Sequence, residues 1–248
     1  MPQDMPVYLF DPLSPTNTPQ YLFPLQHRAY RQFPRFVYRY NEDTMLIYTD
    51  GACSNNGRPG AAAGWGFVFR ETDSGIVSGR LECNGPVGET YPQTSNRAEL
   101  RAVIAALQFR AWSGDGIKDL VIATDSEYVV KGATDWVWAW IQRGWVTRQG
   151  NQVQNQDLWM ELLAEMDKHN GRGLDIGFWK VPRDWNTTAD DAARAGARRE
   201  EIISFRKLMG ILHCYYSIEF LLEYFSFSNW ERLFSNEFNE TLLHPWAL

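Results

Sequence analysis

Tyr48-Thr49-Asp50-Gly51-Ala52-Cys53 ends an apolar run that begins at Met45, and a Gly- and Asn-rich loop, Ser54 to Gly60, follows it. The run reads as a buried strand over Met45–Cys53 with a carboxylate near its end. Such a charge is costly unless it is paired or bound to a cation. Three more acids stand on comparable frames: Glu99 in Thr94-Ser95-Asn96-Arg97-Ala98-Glu99-Leu100, Asp125 in Ala123-Thr124-Asp125-Ser126-Glu127-Tyr128, and Asp190 in Asn186-Thr187-Thr188-Ala189-Asp190-Asp191-Ala192-Ala193. Each lies at an element end or on an apolar-periodic element. If folding gathers them, they make a negative pocket of hard oxygens. That pocket suits Mg²⁺ or Mn²⁺ rather than zinc, which prefers His and Cys. Two such ions about 3.5–4 Å apart are the apparatus of phosphodiester hydrolysis.

The elements around these acids set the fold class. Trp65–Glu71 and Ile76–Cys83 read as strands joined by the turn signal Thr72-Asp73-Ser74-Gly75. Alanine and leucine at helical spacing predict a helix over Ser95–Arg110, with Ser95 as N-cap. A short buried strand, Leu120–Ala123, precedes Asp125. A helix begun at Ser126 is expected to stop at Gly132. Asp135–Gln142 is helical and rich in tryptophan, Asp157–His169 is a helix, Leu174–Lys180 a strand, and Thr187–Arg199 a helix with one alanine face. Three strands and a helix, then alternating strands and helices, predict an α/β fold.

The chain has 248 residues, is 44% hydrophobic and carries a formal charge of −6. One or two domains with a real core are expected. The acidic balance argues against a general nucleic-acid binder. Residues 43–200, however, hold 17 Lys and Arg against 21 Asp and Glu, and two divalent ions would cancel that difference locally. Cys53, Cys83 and Cys214 are widely spaced, which disfavours zinc and disulfide scaffolds. No secretory signal is evident, so an intracellular site, nuclear or cytoplasmic, is expected. No run of about 18 uncharged apolar residues predicts a membrane span. Residues 1–42, proline-rich with Arg28, Arg31, Arg35 and Arg39 toward their end, read as a poorly ordered N-terminal arm. Residues 201–248, an aromatic-rich C-terminal extension of unknown role, read as a helical addition packing on the domain, with a partner-binding segment or a stretch that does not fold productively as the alternatives.

Order, spacing and neighbours of these frames resemble ribonuclease H of type 1, in particular the single-domain fungal forms, from about Met45 to Arg199. The resemblance implies a mixed five-stranded sheet flanked by helices on both faces. It also implies endonucleolytic cutting of the RNA strand of RNA–DNA hybrids with Mg²⁺, or Mn²⁺. By the same carry-over, Asp50, Glu99, Asp125 and Asp190 are the catalytic, metal-binding acids. In the family frame the ligand lies four residues after the Asn, here Asn186, which selects Asp190; a one-residue slip would favour Asp191. The backbone at Cys53 and Ser54, the Asn96 amide and Glu99 fall near the RNA 2′-hydroxyls. Thr94 and Arg97 resemble the family's residues for DNA phosphates. The Trp136–Trp145 stretch resembles its substrate handle, with Trp136 nearest the substrate. Here that handle is weakly basic. Over residues 131–148 only Lys131, Arg143 and Arg148 oppose Asp135, which predicts a shallow salt dependence.

One departure stands out. The family's histidine-bearing loop before the last helix is shortened here to Lys180-Val181-Pro182-Arg183-Asp184-Trp185-Asn186 and has no histidine. Arg183 can replace its charge but does not titrate near neutral pH. Lower turnover or altered metal preference is expected. Two alternatives remain: a non-catalytic protein that binds hybrids or a partner, and a DNA strand-joining enzyme of the same architecture.

Overall fold

The computed structural model describes residues 7–26 and 34–209. Most of the expected C-terminal extension, 210–248, lies outside the described residues. In chain order the elements are β1 (Val7–Leu9), α1 (Pro19–Leu22), β2 (Leu25–Gln26), β3 (Arg35–Phe36), β4 (Thr44–Ser54), β5 (Ala62–Val68) and β6 (Ile76–Arg80). Then come α2 (Ser95–Phe109), β7 (Asp119–Thr124), α3 (Glu127–Lys131), α4 (Val137–Gln142), α5 (Gln156–Asn170), β8 (Asp175–Lys180) and α6 (Thr187–Ala197).

Six strands, not five, form the main sheet, in the order β1-β8-β7-β4-β5-β6. β4, β5 and β6 are antiparallel neighbours, whereas β4, β7, β8 and β1 run parallel. The additional strand comes from the N-terminal arm. Val7, Tyr8 and Leu9 pair with Ile176, Gly177 and Phe178 of β8. The arm is therefore not loose over its described residues. Phe10, Leu22, Phe23 and Phe36 are buried against Tyr48, Val121 and Trp179 on one sheet face. These four buried aromatic and aliphatic side chains contribute roughly 1.5–3 kcal/mol each before the entropy of ordering the chain is subtracted.

The sheet is covered on both faces, as a largely parallel sheet must be. Along β4, Met45 and Ile47 join the core beneath α2 and α5, while Leu46 and Tyr48 join the opposite core. This alternation sends Asp50 toward α6. Two glycine sites set the layer spacing. A Cβ on Gly51 would lie 2.1 Å from the Glu99 backbone nitrogen, and one on Gly64 would lie 2.0 Å from that of Ala197. Backbone thus meets backbone where α2 and α6 cross the sheet.

Two details differ from the pattern reading. The N-cap of α2 is Thr94, whose hydroxyl accepts from the Arg97 N–H, rather than Ser95. The helix beginning at Glu127 does not stop at Gly132; a π-helical turn, Gly132–Trp136, carries it directly into α4. Gly132 is there for packing, since a Cβ would lie 2.1 Å from the Trp159 ring. Beyond α6 the chain continues as an extended strap. Ile202 and Ile203 carbonyls accept from the Cys83 and Asn84 N–H groups, and the Arg206 carbonyl accepts from Arg101. Among the described residues no helix is long and apolar enough to cross a membrane.

Candidate active site

Asp50 comes from the centre of β4, Asp125 from the loop just past β7, Glu99 from the second turn of α2 and Asp190 from the first turn of α6. β4 and β7 are parallel neighbours, with Tyr48 opposite Ala123, so Asp50 and Asp125 lie at the same sheet end by register. The contact of Gly51 with α2 brings Glu99 to them. One oxygen from each of Asp50, Glu99 and Asp125 lies within 4.8 Å of the others. All four acids line one cavity of about 630 Å³ together with Cys53, Ser54, Asn56, Ser95, Arg183, Arg194 and Arg198. Asp191, the neighbour that a one-residue slip would favour, is exposed and is not part of this lining.

Buried like charges dominate the electrostatics. The Asp50 carboxyl is pushed up to about 8, first by its removal from water, then by a hydrogen bond with Asp125 and the charges of Asp125 and Asp190. Glu99 is raised by burial and by the charges of Asp50 and Asp125, against a smaller opposing pull from the Gly51 N–H. Asp50 Oδ2, Glu99 Oε2 and Asp125 Oδ1 are buried atoms without a hydrogen-bond partner. Orphaned carboxylate oxygens at this spacing are expensive unless a cation satisfies them. Three oxygen donors without nitrogen or sulfur fit a hard divalent ion. Asp190 differs: its two oxygens are held by Arg183, at 2.7 Å, and Arg194, at 2.9 Å.

The remaining sequence-derived residues divide. Ser54 is exposed at the cavity rim, its hydroxyl donating to the Ala62 carbonyl at 3.2 Å. Cys53 is half-buried in the wall and donates to the Gln93 carbonyl at 3.5 Å. Asn96 is exposed on the first turn of α2. Thr94 is occupied as the helix cap. Arg97 is a correction: it is buried, forms a forked pair with Asp157 at 2.7 and 2.8 Å, and lies 4.0 Å over the Tyr91 ring. Its charge is spent inside the protein, so it does not face a phosphate. Trp136 is half-buried and packs between Tyr128 and Trp140. His169 Nε2–H donates to the Leu107 carbonyl, 2.8 Å away, and does not line the acid cavity.

Sequence reasoning missed Asn56, Arg194 and Arg198 among the lining residues. Arg194 was legible, because it stands four residues after Asp190 on the same helix. Asn56 was not. Its side chain bonds both the N–H and the hydroxyl of Ser95, pinning the loop after β4 to the start of α2.

The sequence profile of the RNase H family matches residues 42–198. The chain is 39% identical over 175 residues to a ribonuclease H from Cyanothece, covering 68% of this chain and 99% of that protein. It is 37% identical over 155 residues to the ribonuclease H of Paracoccus denitrificans, covering 62% of this chain and 92% of that one. Among solved structures, LC9-RNase H1, a type 1 RNase H with the type 2 active-site motif, is 30% identical, covering 62% of this chain and 72% of that one with a TM-score of 0.42. An acid-lined cavity at the end of a mixed sheet is the arrangement of a metal-dependent nuclease. This chain belongs to the RNase H family.

Proposed function

We propose that this protein is a type 1 ribonuclease H, of the single-domain kind found in fungi. It hydrolyses the RNA strand of RNA–DNA hybrids internally and uses Mg²⁺, with Mn²⁺ as a substitute. The observation that carries this reading is the set of three orphaned carboxylate oxygens on Asp50, Glu99 and Asp125. Asp50, Glu99 and Asp125 would hold the divalent cations, which when bound would supply an activated water and charge stabilisation for the leaving 3′ oxygen. The protein's own contribution is placement. β4 and β7 fix Asp50 and Asp125 rigidly, the Gly51 contact fixes the distance to Glu99, and α6 presents Asp190 with its two arginines.

Selection of hybrid over duplex DNA needs contacts to 2′-hydroxyls, since base edges carry no such information. Exposed Asn96 can donate and accept, and the backbone at Cys53 and Ser54 forms the adjoining rim. Trp136, Arg143 and Arg148 form a thin handle for the DNA strand. A protein partner that binds through residues 201–248 belongs to the same proposal.

The test is cleavage of a hybrid labelled on either strand. RNA fragments are expected with Mg²⁺, an intact DNA strand, and no cutting by Asp50→Asn. A hybrid left whole at high enzyme in both Mg²⁺ and Mn²⁺ would reduce the protein to a hybrid binder. Cutting of plain DNA duplex would point instead to strand-transfer chemistry.

A further inference from the structure

Asp190 is the odd member of the acid set. Arg183 Nη2 donates to its Oδ1 at 2.7 Å and Arg194 Nη2 pairs with its Oδ2 at 2.9 Å. Asp50, Glu99 and Asp125 each keep a buried oxygen without a partner. The same Arg183 guanidinium also places Nε 4.0 Å from Asp125 Oδ2. One planar cation therefore spans the gap between the open trio and the fourth acid. The two arginines are not equivalent. Arg194 has its backbone held one helical turn beyond Asp190 on α6, with its side chain 52% exposed. Arg183 rides on a short 3₁₀ turn, Arg183–Trp185, with its side chain 66% exposed, so it can swing into solvent without disturbing the core.

Resting on the metal-binding reading above, we propose that Arg183 is a tethered cation lying across Asp125 and Asp190, and that a second divalent ion binds only by displacing it. A first ion can take the open oxygens Asp50 Oδ2, Glu99 Oε2 and Asp125 Oδ1 and leave the Arg183–Asp190 pair in place. A second ion that takes Asp190 as a ligand must compete with the 2.7 Å Arg183 contact. Arginine suits this task because its fork reaches two carboxylates at once, and because it stays charged at any pH where the enzyme works. Release is then governed by ion concentration rather than by proton concentration. Arg183 is a positioning residue in this scheme: it acts on the site through Asp190.

The experiment is calorimetric titration of Mn²⁺ into the full chain without nucleic acid, comparing wild type, Arg183→Gln and Arg183→Lys. Wild type is expected to bind one ion clearly tighter than the second. Arg183→Gln should tighten the second ion roughly three- to tenfold and the first by less, with Arg183→Lys in between. The Mg²⁺ optimum for cleavage should move to lower concentration in parallel. Melting curves check that the variants fold. The proposal is overturned if the second-ion affinity is unchanged or weaker in Arg183→Gln, above all if KM for the hybrid rises instead, which would make Arg183 a substrate contact. If wild type cleaves the hybrid but only one ion binds in every variant, this inference fails alone. If no divalent ion binds wild type at all, the proposed function fails with it.

Discussion

Helix α2 carries two kinds of charge within five residues. Arg97 and Arg101 are buried and individually matched, to Asp157 at 2.7 Å and to Glu82 at 2.8 Å. Glu99, between them, turns to the other side and meets Asp50 and Asp125, which are charges of its own sign. The matched pairs tie α2 to α5 and to the segment after β6, and their charges are balanced inside the molecule. The acid cluster is unbalanced and becomes comfortable only when a cation arrives. Buried charge alone does not distinguish scaffold from site; whether its partner is inside the molecule does.

The strongest way to break this contrast is Asp50→Asn. Single-turnover cleavage of a hybrid is expected to fall about 10³-fold or more, with the fold intact. Next in size is the opposite kind of change. Asp157→Ala leaves Arg97 buried without a counter-charge and should cost about 3–5 kcal/mol in urea denaturation. The double variant Arg97→Met with Asp157→Leu should recover most of that loss, because it removes both charges together. Equal effects of the single and double changes would show that the pair is not energetically closed.

A pH series sharpens the comparison. Because folding raises Asp50 to about 8 from the ordinary carboxylate range, the folded protein keeps a proton there that the unfolded chain has lost. Stability in chelator should therefore fall as pH rises from about 4 to 8, by an amount on the order of a few kcal/mol. Asp50→Asn should flatten the slope and raise the melting temperature at pH 8–9, while Mg²⁺ should do the same for wild type. A slope unchanged by both treatments would mean that the cluster is not strained. The smallest effect is expected at the handle. Trp136→Ala should raise KM for the hybrid a few-fold and leave kcat nearly unchanged, as measured at moderate salt.

What could be read from the chain follows the range of each interaction. The frames of Asp50 and Glu99 were legible from local signals, a strand ending at Asp50-Gly51 and a cap ahead of Glu99, whereas Asp190 was preferred to Asp191 only through the family resemblance, four residues after Asn186. The partner of Arg97 was not, because Asp157 stands 60 residues away and nothing near either residue announces the other. Arg97 in isolation looks like any basic residue at a helix start. β1 was illegible for a related reason. It has three residues, sits among prolines, and is a strand only because β8 offers a free edge. Gly132 misled in the other direction: read locally it ends a helix, whereas the Trp159 ring requires a residue without a side chain at that point.

The short strand β1 also bears on how the protein can be handled. The family profile starts at residue 42, which invites trimming the gene there. Such a fragment would retain every acid of the cavity. It would also strip the cover from Trp179 and lay bare the hydrogen-bonding rim of β8, a parallel strand with apolar Ile176 and Phe178. Chains unsealed in this way tend to stack rim to rim. A shortened version that precipitates while keeping its nuclease chemistry would therefore indicate a lost flank and not a damaged engine.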